Sequence, residues 1–331
     1  MRCAVVGAGA WGTALADLLA RNGHDTTLWA HEEHVARSVT VTRENSAFLP
    51  GTTLADSLRA TTDLGAALDG AELALYAAPS HVLRQVARRG AGELPEGASI
   101  VVASKGIERG SLALMSDVLA SELAPRAVVA LSGPSFASEV AKRQPTAVVA
   151  ASADLAAARA VQQTFSNDTF RVYTHDDVIG VELGGSLKNV IAVATGIAEG
   201  VGLGSNSRAA LITRGLAEMI RLGVALGAAP ATFAGLAGLG DLVLTCTGAL
   251  SRNRAVGVAI GAGATLAQAL AGKSTVAEGV VTTESAHALA LRERVDMPIV
   301  AAVHRILFEG QPARRAIAEL MTRDLRSERD G

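Results

Sequence analysis

Aromatic residues are scarce in this chain of 331 residues, which contains two Trp, two Tyr and six Phe. A core must therefore be built mainly from Ala, Val, Leu and Ile, and a hydrophobic content of 49% provides enough of them. Charged residues amount to 19%, a balance typical of globular proteins and not of disordered ones. The length exceeds that at which a single core usually stops growing, which predicts two domains.

An excess of either charge is also lacking, because 30 Lys and Arg face 32 Asp and Glu. The net charge of −2 provides no field that would attract nucleic acid or an anionic membrane, so we expect a small-molecule partner. The two cysteines, Cys3 and Cys246, have neither CxxC nor metal-ligand spacing. We expect buried free thiols in a reducing cytoplasm, no metal site and, since the first residues contain no long apolar segment, no export signal.

Two uncharged stretches, 222–240 and 255–272, are long enough to raise the question of a membrane span. The first contains Pro230 and five glycines, the second contains four glycines, and both consist of Ala and Gly more than of Leu, Ile or Phe. This composition predicts tightly packed helices and turns, and no membrane span.

Short apolar segments alternate with helical ones in the first half of the chain, a pattern typical of a parallel sheet covered by helices. The strands are predicted at residues 2–6, 26–30, 73–78, 100–103, 128–131, 147–151 and 170–174. From about residue 178 the apolar spacing is helical. We therefore predict an α/β fold: a doubly wound domain over 1–180, an all-helical domain over 181–321 and a charged tail over 322–331.

A glycine-rich motif, GAGAWG, follows the first predicted strand and opens a helix. Gly7, Gly9 and Gly12 would serve the tight turn, the close approach of a pyrophosphate and the packing of helix on strand. The helix N-terminus would then offer N–H groups to phosphate. The motif predicts a dinucleotide site.

The end of the second predicted strand lies about 20 residues beyond the glycines, where an acidic side chain binds a ribose 2′-hydroxyl or a basic one a 2′-phosphate. Both kinds are present there. Glu32 or Glu33 favours NAD, whereas His31 could face a 2′-phosphate. The cofactor is therefore NAD or NADP, and the sequence does not decide between them.

Lysine is rare, with four Lys among the 30 Lys and Arg residues. A position that keeps Lys can need a compact ammonium whose pKa falls on burial. Lys105 follows the predicted strand 100–103, and open α/β sheets bind ligands at the carboxyl ends of their strands. It is either a substrate contact or a solvated surface lysine.

The segment SGPSFA follows the predicted strand 128–131 in the same way. Gly133 would allow a close backbone approach, and Ser135 would supply a hydroxyl to the substrate or nicotinamide. Without the other motifs, a helix-capping role would be the better interpretation of the serine.

Lys188 and Asn189 lie in an otherwise apolar helical segment near the predicted domain boundary. Burial lowers the pKa of an ammonium, which suits a group that exchanges a proton with a carbonyl or alcohol oxygen. The alternative is a lysine whose end reaches the surface. Asp241 and Thr245 are four residues apart and would share a helix face, so that Asp241 could hold Lys188.

Ser251, Arg252 and Asn253 precede an apolar helical segment. A capping hydroxyl, planar guanidinium donors and helix N–H groups in one place suit a phosphate monoester. A solvated basic turn is the alternative interpretation.

Taken together, these motifs resemble one family. The sequence is similar to the NAD(P)-dependent glycerol-3-phosphate dehydrogenases in GAGAWGTALA, SKG, GPSFA, LKNVIA, ITRGLAEM, GLGDLVLTC and SRNR, in the order of that family. The resemblance implies a Rossmann-type domain followed by a helical domain. It also implies reversible hydride transfer between NAD(P)H and C2 of dihydroxyacetone phosphate, giving sn-glycerol 3-phosphate for glycerophospholipid synthesis.

The resemblance further implies roles for individual residues, with Lys188 as the catalytic proton donor or acceptor. The substrate would contact Lys105, Gly133, Ser135, Lys188, Asn189, Asp241, Thr245, Ser251, Arg252 and Asn253. The cofactor would contact Gly7, Gly9, Ala10, Trp11, Gly12, His31, Lys105, Ala137, Arg252, Val276 and Glu278.

Two departures from the family pattern concern the cofactor. Ala10 replaces a frequent Ser, which removes a hydroxyl but keeps a backbone N–H, and His31 stands where many members carry Arg. Two other functions remain as alternatives. A related hydroxyacid or sugar-acid dehydrogenase would lack the Ser-Arg-Asn turn, and a non-catalytic dinucleotide sensor would not need Lys188. The oligomeric state also stays open, with a homodimer as one alternative.

Overall fold

The computed structural model describes residues 1–123, 126–272, 277–325 and 327–328. These residues form two compact units. Unit 1 contains Met1–Lys105 and Ala113–Val181, and unit 2 contains Gly106–Leu112 together with the described residues from Glu182 onward. The short segment Gly106–Leu112 thus groups with unit 2, although it lies within the sequence range predicted for the first domain.

Unit 1 contains a single eight-stranded sheet in its described residues, with helices along the connections. Its strands are β1 (Arg2–Val6), β2 (Asp25–Trp29), β3 (Arg59–Thr61), β4 (Leu73–Tyr76), β5 (Ser99–Val102), β6 (Val128–Ser132), β7 (Thr146–Ala151) and β8 (Phe170–His175). The order across the sheet is β3-β2-β1-β4-β5-β6-β7-β8. The seven predicted strands are confirmed, whereas β3 was missed because three residues are too few to show an apolar pattern.

One strand pair corrects the prediction of a parallel sheet. β7 pairs antiparallel with β6, while the other neighbouring strands are parallel. The connection between them contains only the five-residue helix α6 (Ala137–Ala141). Such a helix spans about 7.5 Å. It is too short to return the chain to the opposite end of the sheet, so β7 runs back from the end at which β6 finishes.

The other helices of unit 1 cover the sheet and close its core. They are α1 (Ala10–Arg21), α2 (Glu33–Thr42), α3 (Leu64–Leu68), α4 (Leu83–Gly90), α5 (Met115–Leu123) and α7 (Leu155–Phe165). One buried cluster joins Val5 and Leu75 of the central strands to Leu15 and Leu19 of α1. Burial of this apolar helix face holds the start of α1 at the carboxyl end of β1.

Unit 2 is helical throughout the residues that the structure describes, as predicted. Its helices are α8 (Val178–Gly200, which begins in unit 1), α9 (Ser205–Ala225), α10 (Asp241–Thr247), α11 (Arg252–Gly261), α12 (Leu266–Leu270), α13 (Glu278–Arg292), α14 (Pro298–Phe308) and α15 (Ala313–Met321). A 3₁₀ turn (Pro230–Ala234) and a π-helical turn (Leu236–Gly240) precede α10.

Among the described residues, α8 alone is long and apolar enough to cross a membrane, yet 89% of its most apolar window is buried in the fold. Burial of this kind is typical of the core helix of a globular unit. The uncharged stretch 222–240 divides into the end of α9 and two short turns, and 255–272 divides between α11 and α12, in agreement with the prediction of packed helices and turns.

Glycines bring the backbones of α8 and α11 into direct contact. A Cβ atom added to Gly196 would lie 2.1 Å from the carbonyl oxygen of Arg254, and one added to Gly257 would lie 2.2 Å from that of Val193. Gly200 and Gly261 meet in the same way one turn further along. Because no side chain fits between the helices, this contact fixes the position of α11 on α8.

Candidate active site

The glycine loop at the start of α1 has the geometry that its motif predicts. Gly7 has a φ of +119°, and a Cβ atom there would lie 2.8 Å from the backbone nitrogen of Ala78. A Cβ atom on Gly12 would meet the carbonyl oxygen of Gly7 at 1.9 Å, whereas one on Gly9 would enter open space. The loop therefore packs tightly against the sheet at Gly7 and Gly12, whereas its backbone is accessible at Gly9. Gly9 is also the N-cap of α1, and no side chain caps the helix there.

A residue that sequence reasoning missed supports this loop. Asn45 is fully buried, and its amide nitrogen donates to the carbonyl oxygen of Ala8 and to the hydroxyl of Thr13, both at 2.8 Å. Its amide oxygen accepts from the backbone nitrogen of Phe48 at 3.1 Å. An Asn in an irregular segment gives no sequence signal for this role, because the two loop groups that its amide nitrogen binds lie more than thirty positions away in the chain.

The end of β2 leaves both cofactor interpretations open. His31 is exposed, Glu32 occupies the N-cap position of α2 without a side-chain cap, and Glu33 lies in the exposed first turn. Trp29 is anchored by its indole nitrogen, which donates to the carbonyl oxygen of Thr62 at 2.9 Å. The His31 ring lies edge-on to Trp29, with 6.2 Å between the ring centroids.

Three predicted substrate residues of unit 1 meet at the loops after β5 and β6. The ammonium of Lys105 donates to the carbonyl oxygen of Gly133 at 3.2 Å, and the hydroxyl of Ser135 donates to the same oxygen at 3.1 Å. Gly133 has a φ of +146°, and a Cβ atom there would lie 2.9 Å from Cα of Val148. Ala137 follows as the first residue of α6.

Lys188 lies in a buried polar cluster of unit 2. Its Nζ donates to Oδ1 of Asp241 at 2.5 Å and to the hydroxyl of Thr245 at 2.9 Å. The Thr245 hydroxyl in turn donates to the carbonyl oxygen of Asp241 at 2.6 Å, one turn earlier in α10. Lys188 is 8% exposed, which excludes the alternative interpretation of a lysine whose end reaches the surface. The predicted pairing with Asp241, and the shared face of Asp241 and Thr245, are confirmed.

Two asparagines link three helices beside this cluster. The amide nitrogen of Asn253 on α11 donates to the amide oxygen of Asn189 on α8 at 2.8 Å. The amide oxygen of Asn253 accepts from the backbone nitrogen of Gly279 on α13 at 2.9 Å. Both asparagines are buried, so these bonds fix their orientation.

The start of α11 exposes a guanidinium. Ser251 caps the helix by accepting from the backbone nitrogen of Arg254 at 3.2 Å, as predicted. Arg252, the first helical residue, is accessible to solvent on one side, while neighbouring residues exclude part of the water around its guanidinium and so lower its pKa. The charge of Glu278 opposes this shift. Glu278, a predicted cofactor contact, is the first residue of α13. Val276 is also a predicted cofactor contact, and it lies outside the described residues.

Comparison with known proteins decides the family. The model of the NAD-dependent glycerol-3-phosphate dehydrogenase N-terminus matches residues 2–158, and that of the C-terminus matches residues 177–318. The chain belongs to the NAD-dependent glycerol-3-phosphate dehydrogenase family.

Relatives and solved structures of the glycerol-3-phosphate dehydrogenases match nearly the whole chain. The enzyme of Geobacter sp. (strain M21), named glycerol-3-phosphate dehydrogenase (NAD(P)+), is 56% identical over 330 residues, which are 99% of this chain and 98% of the relative. The protein of the same name from Syntrophotalea carbinolica is 50% identical over the full length of both chains. The crystal structure of glycerol-3-phosphate dehydrogenase from Coxiella burnetii superposes with a TM-score of 0.94, at 43% identity, over 97% of this chain and 98% of that chain.

The glycine loop of this glycerol-3-phosphate dehydrogenase family member fits a dinucleotide. The indole nitrogen of Trp11 is buried beside the loop without a hydrogen-bond partner among the described residues. Together with the open backbone at Gly9, it offers donors at the start of α1, where a pyrophosphate would accept them. Within the described residues, no group of three or more His, Cys, Asp or Glu could hold a metal ion.

Proposed function

We propose that this chain is an NAD(P)-dependent glycerol-3-phosphate dehydrogenase, which interconverts dihydroxyacetone phosphate and sn-glycerol 3-phosphate. The observation that carries the proposal is the buried ammonium of Lys188, held by Asp241 and Thr245 in a chain that also has a dinucleotide loop. Relatives that are 50% to 56% identical over the full chain support it by their names.

When bound, NAD(P)H supplies the hydride that reduces C2 of the ketone. The ammonium of Lys188 donates a proton to the C2 oxygen as negative charge develops there, and in the oxidation direction the amine takes this proton from the alcohol. The carboxylate of Asp241 holds Nζ in place by a hydrogen bond of 2.5 Å. Thr245 fixes the position of Nζ by a second hydrogen bond, and after reduction Nζ recovers its proton from solvent.

We assign the phosphate of the substrate to the start of α11. The exposed guanidinium of Arg252 can pair with two phosphate oxygens, and the capped first turn adds backbone N–H groups. Asn253 and Asn189, oriented by their mutual hydrogen bond, hold this turn on α8. On unit 1 we assign the substrate contacts to Lys105, Gly133 and Ser135. The side chains of Lys105 and Ser135 both donate to the carbonyl oxygen of Gly133.

We assign the cofactor to the glycine loop and the loops that follow the strands of unit 1. The residues proposed to contact it are Gly7, Gly9, Ala10, Trp11, Gly12, His31, Lys105, Ala137, Arg252, Val276 and Glu278. We further propose a cytoplasmic location with a role in glycerophospholipid synthesis. In support, Cys3 and Cys246 are both free and buried, as suits a reducing compartment.

The test is a spectrophotometric assay of NADH and NADPH oxidation by the purified protein. Dihydroxyacetone phosphate should be reduced, whereas unphosphorylated dihydroxyacetone and a 2-keto acid should be reduced far more slowly. Equal turnover of the keto acid would favour the hydroxyacid dehydrogenase alternative. Binding of NADH without turnover of any of these substrates would favour the non-catalytic sensor.

A further inference from the structure

Gly106, the residue that follows Lys105, forms two hydrogen bonds with the side chain of Ser186, one through its backbone N–H and one through its carbonyl oxygen. The backbone nitrogen of Gly106 donates to the hydroxyl of Ser186 at 2.9 Å, and that hydroxyl donates to the carbonyl oxygen of Gly106 at 3.1 Å. Gly106 is buried, and Ser186 is 1% exposed. Ser186 lies in α8 two residues before Lys188, in the part of that helix that belongs to unit 2.

The same segment has a second tether, which is weaker. Arg109 donates to the carboxylate of Glu284 on α13 at 2.5 Å, but the side chain of Arg109 is exposed and that of Glu284 is about half exposed. Ion pairs in water contribute little, because solvent screens them and the long side chains lose freedom. The paired hydrogen bonds of Ser186 are buried, and their loss would leave Gly106 with an N–H and a carbonyl cut off from water. Ser186 therefore binds Gly106 to α8 more firmly than the exposed ion pair binds Arg109 to α13.

We propose that Ser186 is a positioning residue for Lys105. The ammonium of Lys105 sits at the end of a flexible four-carbon stem, so its location depends on where the backbone at residue 105 is held. Ser186 fixes the adjacent peptide group, and Lys105 then reaches the carbonyl oxygen of Gly133. The inference rests on the proposed function, in which Lys105 contacts the substrate. Ser186 itself makes no substrate contact and acts through Lys105.

The test is a double-mutant cycle on the full-length protein with the variants Ser186→Ala, Lys105→Met and their combination. We expect Ser186→Ala to lower kcat/KM for dihydroxyacetone phosphate by about tenfold, since misplacement of a binding group by a fraction of an ångström has effects of this order. The Kd for NADH, measured by fluorescence titration, should change by a smaller factor than kcat/KM does, because Lys105 is one of many proposed cofactor contacts and the glycine loop is not bound by Ser186. In the Lys105→Met background the serine substitution should change kcat/KM by less than about twofold.

Ser285→Ala is the matched control, because Ser285 is also 1% exposed on a helix of unit 2 and its hydroxyl has no partner among the described residues. It should leave kcat/KM unchanged. Wild-type kcat/KM in Ser186→Ala would overturn the proposal, as would an equal further loss in the Lys105→Met background. These results leave the proposed function intact as long as the wild-type protein reduces dihydroxyacetone phosphate. If the wild type does not, both proposals fall.

Discussion

Nζ of Lys188 lies 2.5 Å from Oδ1 of Asp241, and both side chains are buried in unit 2. Transfer of two charges from water into a protein interior is costly, and the attraction within the pair offsets that cost only when the geometry is good. The hydroxyl of Thr245 completes the arrangement by binding both partners. A lysine held in this way has a fixed position, as a proton donor in a reaction must have.

Replacement of Lys188 should abolish most of the reaction. Loss of a general acid or base typically costs about a hundredfold to ten-thousandfold in rate, and we expect Lys188→Ala to lower kcat within this range. Binding of NADH should persist, because the glycine loop belongs to unit 1. Lys142→Ala, at an exposed lysine, is the control and should retain full activity. Near-normal NADH oxidation by the Lys188 variant would refute the role assigned to it.

Arg252→Lys should weaken recognition of the phosphate. Lysine keeps the positive charge but cannot form the planar, two-point contact of a guanidinium. We expect a higher KM for dihydroxyacetone phosphate and little change in the slow reduction of dihydroxyacetone. Steady-state kinetics with both substrates provide the measurement. An equal loss with both would show that Arg252 does not recognise the phosphate and acts only through its proposed cofactor contact or through the fold.

His31 should influence the choice of cofactor. We expect the wild-type protein to use both NADH and NADPH, since an exposed histidine and two glutamates at the end of β2 neither fix nor exclude a 2′-phosphate. His31→Arg should raise the ratio of kcat/KM for NADPH over NADH, because a permanent guanidinium pairs with the 2′-phosphate. His34→Arg, at another exposed histidine of the same segment, is the control. An unchanged ratio in His31→Arg would place specificity elsewhere.

Glu218 should make the stability of unit 2 depend on pH. Its two carboxylate oxygens accept from the backbone nitrogens of Ile299 (2.6 Å) and Val300 (3.1 Å) at the start of α14, and burial raises its pKa from 4.5 to about 7. The folded state then binds more protons than the unfolded state between these values, so the stability that this group contributes falls as pH rises from about 4.5 to about 7.

In the variant Glu218→Gln the side chain cannot titrate, so its stability should lack the dependence on pH that Glu218 contributes. Urea unfolding midpoints of the variant should therefore rise relative to those of the wild-type protein between pH 5 and pH 7.5, the window set by the shifted pKa of about 7. Glu319, which is exposed and makes surface contacts in α15, supplies the control variant Glu319→Gln. A difference in midpoint that is constant across this range would show that Glu218 remains ionised throughout.

Local patterns in the sequence predicted the glycine loop, seven strands and the shared helix face of Asp241 and Thr245. Each depends on residues that are close in the chain, or on a helix period that places two side chains on one face. The antiparallel pairing of β7 was missed, because strand direction depends on the length of α6, which apolar spacing does not reveal. Asn45 and Ser186 were missed for another reason: their partners lie 32 to 80 positions away, and polar side chains carry no periodic signal.

The glycine contact between α8 and α11 has a thermodynamic consequence for the proposed reaction. Where backbone touches backbone, no side-chain rotamers lie between the two helices, so the position of α11 on α8 is fixed when the chain folds. The entropy needed to place the backbone of Arg252 relative to that of Lys188 is then lost at folding, and binding of the substrate has to order only the side chains.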